Sequence, residues 1–192
     1  QETVPSSGWK IEKVSDRKVR DEWKPLWGKR AVVEDHFNEL VIDLVNPAGQ
    51  PERMQLVVRG YNDGFAFCYK IPDGKGPCVN VQSELTAYNF AGDYTAWFYN
   101  GENHNIGPEK LTETDGTRLP VMTVKAGDKH YMAIHEACLE TGAPLVLQSK
   151  GGESLFSVAS KPTSLSPGYT SAWRVVLYGK TPGTLTDSHL LE

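Results

Sequence analysis

The chain has 192 residues, a formal net charge of −4 and 39% apolar residues, an ordinary composition for one large globular domain or two small ones. That acidic balance, with Lys and Arg scattered, excludes an electrostatic nucleic-acid binder, which needs clustered basic side chains. No apolar run approaches the ~18 residues of a membrane span, no signal-peptide core is visible, and Gln1 in place of Met fits a processed or trimmed N-terminus.

Residues 1–8 read as a disordered tail, and Lys10 to Arg30 as the densest basic cluster, with acids between the cations. Period-two alternation then dominates. Leu40, Ile42 and Leu44 share one strand face; Met54, Leu56 and Val58 share the next; Phe65, Phe67, Tyr69 and Ile71 share a third. Each pattern predicts that this apolar face is the buried one. Asn46 to Pro51 reads as a hairpin loop and Asn62-Asp63-Gly64 as a turn or bulge. Further strands are predicted over 81–90, 118–125, 129–138, 144–149, 154–159 and 171–179, with a short turn at Pro108 to Thr114 and a surface loop at Pro162 to Tyr169. Regular turn signals between short strands predict an all-β, mainly antiparallel sandwich or barrel, one domain over 1–192, with little helix.

Few motifs carry chemistry. There is no nucleophile elbow, P-loop, HExxH or EF-hand loop. His36, His104, His130 and His135 lack metal-ligand spacing. Cys68 and Cys78 flank a turn-rich segment, which leaves a disulfide or two free thiols open, with Cys138 unpaired either way. Glu136 stands out because it shares a strand face with Met132, Ile134 and Cys138. A carboxylate there must be paired or bound to a metal, since an isolated buried charge is costly. Calcium suits such a hard oxygen ligand; the alternative is an edge strand where Glu136 meets water or His135. Trp97 and Tyr99, with Phe98 opposite them, and Trp27 beside Trp23 are either core residues or stacking platforms for a sugar.

Several segments read together resemble the N-terminal β-domain of glycoside hydrolase family 97. Trp23-Lys24-Pro25-Leu26-Trp27-Gly28 and Asn38-Glu39-Leu40 resemble its tryptophan–glycine segment and following strand. Arg59 to Tyr69 resembles its R-x-Y-x-D-G-x-A-F-R-Y block, and Glu84 to Phe90 its E-x-T-x-F-x-F strand. Ala133 to Leu139 resembles its A-I-x-E-A-x-L motif, and Trp173-Arg174 the W-R near the domain's end. Members of the family cleave α-linked sugars with the help of calcium, as α-glucosidases or α-galactosidases. They join this β-supersandwich, similar to the galactose-mutarotase fold, to a TIM-type barrel carrying the catalytic carboxylates and to a small C-terminal β-domain.

The resemblance implies a non-catalytic domain without catalytic residues of its own. Its partner would be a TIM-type barrel in cis or in trans, its substrate an α-linked oligosaccharide, and its location periplasmic or secreted. Glu136 would supply one carboxylate to a calcium ion at the domain–barrel interface. The family's earliest strands are expected to be missing from the short stretch before Trp23. Two other readings stay open. One is a stand-alone carbohydrate-binding module using Trp97, Tyr99 or Trp27. The other is a mutarotase-like sugar enzyme with His135 as acid and Glu136 as base, although adjacent strand residues point to opposite faces.

Overall fold

The computed structural model describes residues 8–49, 51–74, 78–81, 84–102, 105–113, 116–140, 143–149, 154–159 and 163–191. In chain order the elements are β1 (Lys10–Trp23), β2 (Val33–Val45), β3 (Arg53–Tyr61), β4 (Gly64–Lys70), β5 (Val79–Val81), β6 (Ala87–Asn89) and β7 (Thr95–Tyr99). They continue with β8 (Asn105–Lys110), β9 (Gly116–Lys125), β10 (Tyr131–Ala137), β11 (Leu145–Ser149), β12 (Ser154–Ala159), β13 (Thr163–Leu165), β14 (Trp173–Gly179) and a short helix, α1 (Pro182–Thr186). The main sheet runs β1-β2-β3-β4-β14-β10-β9-β11-β12-β6, with β7 paired to β9 and carrying β8; β13 and β5 form a separate pair. Every strand pairing is antiparallel, as the alternation predicts. No helix among the described residues is long and apolar enough to cross a membrane.

The last strand is the central one. β14 inserts between β4 and β10 and so joins the two halves of the sheet. Its Val175, Val176 and Leu177 are all buried, as an apolar run covered on both faces should be. Directly paired residues share a face, so two rows cross the sheet. One runs Glu136–Arg174–Phe67–Val58–Leu40. The other, on the opposite face, runs His135–Val175–Ala66–Arg59–Glu39–Arg17. The first face meets the larger core, with Phe98, Met122, Val124, Ile134, Leu145 and Leu147. The second holds a smaller core of Ala66, Ala133, Val175 and Leu177, packed by Trp173, Leu185 and Leu190.

The structure corrects the predicted burial of β2 to β4. Leu40 is 42% and Phe65 44% exposed, whereas Phe37, Val57, Ala66 and Cys68 on the opposite face are buried. The reason is coverage rather than side-chain size. The C-terminal segment packs on the second face through Leu185 and Leu190. The first face extends past the larger core, leaving its big apolar side chains half open.

A second correction concerns the stretch before Trp23, where no strand is predicted. It forms β1, paired with β2 from Lys10↔Val45 to Trp23↔Val33 with one bulge at Ile11/Lys13. Its side chains are exposed almost throughout, so it carries no apolar alternation to read. The mixed charges along it blunt an otherwise open sheet edge. Cross-strand ion pairs hold it: Arg53 with Glu12, and Arg17 with Glu39.

Smaller departures follow the same logic. Pro108 to Lys110 belong to β8 and only the following residues turn. The predicted strand over 81–90 is split between β5 and β6 in two sheets, and Thr163–Leu165 pairs with β5 inside the predicted loop. β10 ends at Ala137, so Cys138, with φ 55°, lies beyond the strand face on which it is predicted. Residues 1–7 of the predicted tail and His104 lie outside the described residues.

Close packing against β14 sets a sharp requirement at Gly64. A Cβ there would sit 2.2 Å from the Val176 carbonyl oxygen and 3.0 Å from a Leu190 methyl. Gly64→Ala is expected to lower stability by about 3 kcal/mol, the upper end for overpacking, measured by urea denaturation. A loss below about 0.5 kcal/mol, typical of an open surface site, would contradict this packing.

Candidate functional site

Arg174 is the one cation in the apolar run of β14 and its side chain is 2% exposed. Its Nη2 donates to Glu84 Oε2 at 2.7 Å and to the Ala143 carbonyl at 3.2 Å. Its Nε lies 3.2 Å from both Glu84 oxygens, and its Nη1 donates to Glu136 Oε2 at 3.4 Å. The Leu145 N–H also donates to Glu136 Oε2. Glu84 Oε1 accepts from Thr86 Oγ1 at 2.8 Å, which in turn lies 3.0 Å from the Tyr69 hydroxyl. One guanidinium thus joins β14, β10, the lead-in to β11 and the segment before β6.

Charge chemistry explains the arrangement. A buried guanidinium needs carboxylate partners and filled hydrogen bonds to offset its desolvation. Burial alone would lower the Arg174 pKa, but the Glu84 hydrogen bond and the charges of Glu84 and Glu136 outweigh it and hold it raised. Burial pushes the Glu136 carboxyl above the ordinary range, partly opposed by the Leu145 N–H and Arg174. Two carboxylates and one guanidinium leave one unit of negative charge.

The donor set bears on a metal in a specific way. Among the described residues no group of three or more His, Cys, Asp or Glu could hold an ion. Arg174, not a metal, lies between the two carboxylates. Among the described residues the contacts to the Glu136 carboxylate run through Oε2, and its side chain is 11% exposed. The chain can therefore offer one oxygen, Oε1, to a cation whose other ligands come from elsewhere. Tight calcium binding takes six to eight oxygens, so such a contribution is partial.

His135 lies on the other face of β10, paired with Val175. It lines a groove of about 900 Å³ with Trp23, Leu26, Trp27, Ala133 and Leu177. Lys29 Nζ donates to the Thr186 carbonyl at 3.0 Å and Arg30 Nη2 to the Asp187 carbonyl at 2.6 Å, tying the β1–β2 connector to the α1 segment. Burial lowers the His135 pKa. Glu136, on the opposite face of β10, does not line this groove. Nearby, Arg59 stacks between Phe37 at 4.3 Å and Trp173 at 4.6 Å and pairs with Glu39 at 2.8 Å.

The three aromatics predicted as sugar platforms are not brought together. Trp27, 88% exposed, lines the groove. Trp97 and Tyr99 lie on β7; Trp97, half-buried, pairs with Thr123 of the groove wall, but neither aromatic lines the groove. Cys68, Cys78 and Cys138 are free thiols, Cys68 buried with its pKa pushed up to about 11. Sequence reasoning missed Glu84 and Arg174 as partners of Glu136. The available signal is a lone Arg in the apolar run of β14 facing a lone Glu in β10.

A β-sandwich domain with a half-open apolar face and a buried Glu–Arg–Glu cluster is the class these features define. The family model described as Glycosyl-hydrolase 97 N-terminal matches residues 3–192, and the chain belongs to that family. A family 97 enzyme in complex with acarbose, from Pseudoalteromonas sp. strain K8, is similar at 24% identity and TM-score 0.85, over 95% of this chain and 30% of that one. A β-arabinopyranosidase is similar at 17% identity and TM-score 0.78, over 90% of this chain and 32% of that one. The chain thus spans about a third of the solved structures it resembles, and at these identities the likeness establishes the shared fold.

Removing the central cation tests the cluster. Arg174→Gln removes the buried cation from between Glu84 and Glu136, a loss of about 3–5 kcal/mol at neutral pH. A carboxyl whose folded pKa is raised penalises the fold only once pH exceeds its ordinary range. The deficit should therefore shrink as pH falls below that range, read by denaturant melts across pH. A pH-independent deficit would contradict the electrostatic account.

Proposed function

We propose that this chain is the non-catalytic N-terminal domain of a family 97-like α-glycoside hydrolase. In this reading it packs on a TIM-type catalytic barrel and supplies the Glu136 carboxylate to a calcium ion at the interface. What supports the reading is Glu136, 11% exposed and, among the described residues, contacted through Oε2 by Arg174 and the Leu145 N–H. The half-exposed Leu40 and Phe65 lie on the same sheet face and give a partner domain apolar surface to cover. Calcium, if bound there, would supply positive charge to the active site, and this chain's own part would be to hold the Glu136 carboxylate as one ligand. The acid and base of hydrolysis of an α-linked oligosaccharide belong to the barrel, and such an enzyme works in the periplasm or outside the cell.

A carbohydrate-binding module is the second reading, favoured only by the exposure of Trp27. Its groove is walled mainly by Trp23, Leu26, Ala133 and Leu177, with few of the convergent polar groups that sugar hydroxyls require.

The isolated chain is expected not to hydrolyse nitrophenyl α-glucoside or α-galactoside. Turnover that disappears on mutating an acid within this chain would overturn the assignment. In the native full-length enzyme, Glu136→Gln should lower activity and raise the calcium concentration needed to restore it.

A further inference from the structure

We propose that Glu84 and Arg174 are the positioning residues for Glu136, and that they set which of its oxygens ligates and how much charge it carries. The inference rests on the reading of Glu136 as a calcium ligand and deepens it. The contacts are unequal. Glu84 meets Arg174 three times, at 2.7, 3.2 and 3.2 Å, whereas Glu136 meets it once at 3.4 Å. Glu84 therefore takes most of the guanidinium's charge, and Glu136 is steered by Arg174 without being neutralised by it. Arg174 and the Leu145 N–H hold Oε2; among the described residues Oε1 is the oxygen left to ligate. The Thr86 hydroxyl, 2.8 Å from Glu84 Oε1 with the Tyr69 hydroxyl 3.0 Å behind it, fixes Glu84 in turn.

This division of charge has a consequence at a residue that touches no metal. Replacing Glu84 by Gln releases the full charge of Arg174 onto Glu136. The cluster's net negative charge falls to zero, and the remaining carboxylate is drawn into a closer ion pair. A calcium ion then meets a weaker and displaced ligand. Loss of such supporting groups commonly costs about 10–100-fold in metal affinity.

Calcium affinity of the native protein, by isothermal calorimetry and by the calcium-induced rise in Tm, tests the proposal in wild type, Glu84→Gln, Thr86→Val and Glu136→Gln. The expected result is a Kd about tenfold weaker in Glu84→Gln, a smaller rise in the same direction in Thr86→Val, and a smaller calcium-induced Tm rise in both. A merely structural role would lower the Tm in chelator while leaving Kd unchanged, and that result overturns the proposal. If Glu84→Gln does not fold, Thr86→Val decides: an unchanged Kd in it overturns the proposal equally. If Glu136→Gln weakens binding while the other variants do not, only the positioning fails. If Glu136→Gln also leaves Kd unchanged, the calcium-ligand reading fails and this inference with it.

Discussion

The buried guanidinium of Arg174 is the constraint on which the rest of this structure turns. Removing a cation from water is expensive, and only a near-complete set of partners makes it tolerable. Those partners come from segments far apart in the chain: Glu84 before β6, Glu136 at the end of β10, and the Ala143 carbonyl leading into β11. Because β14, the last strand in sequence, lies between β4 and β10, this cluster sits where the two halves of the sheet meet. The same strand carries Trp173 to the opposite face, where it covers Arg59. Two successive residues thus serve two separate charged centres.

The two faces of the central strands have different work. One carries the Glu136 cluster and continues into the half-open apolar surface of β2 to β4. The other carries the groove, and its small core is packed by residues of the C-terminal segment itself, Leu185 and Leu190. A partner that reaches Glu136 must approach from the first face. The groove with Trp27 and His135 lies on the opposite side of β10 from Glu136.

Most of the fold was legible because antiparallel strands with one covered face write their period into the chain. The antiparallel all-β architecture and most strand positions follow from that signal; the supersandwich is what the family resemblance implied. Two features escaped it for physical reasons. β1 is an exposed edge strand whose charges hide it from any apolar period. In β2 to β4 the stronger apolar pattern, Leu40 and Phe65 among it, marks the half-open face, while the covered face mixes Phe37, Val57 and Ala66 with the charged Glu39 and Arg59 and so shows no clean apolar period. Glu136 was visible as an anomalous acid, but its partners were not. Period-two reasoning places residues on faces of one strand; it cannot say that the cation of β14 pairs beside the acid of β10, since strand order is a tertiary fact.

The most direct test is a double-mutant cycle between Glu84 and Arg174, using Glu84→Gln, Arg174→Gln and the double variant in urea denaturation. A charge pair this buried and this short should couple strongly, whereas residues that do not share a network add independently. The account predicts a coupling energy above about 1.5 kcal/mol at neutral pH, within the range for contacting residues. Coupling near zero would contradict it, because Arg174 would then not be the shared centre that holds Glu136 in place.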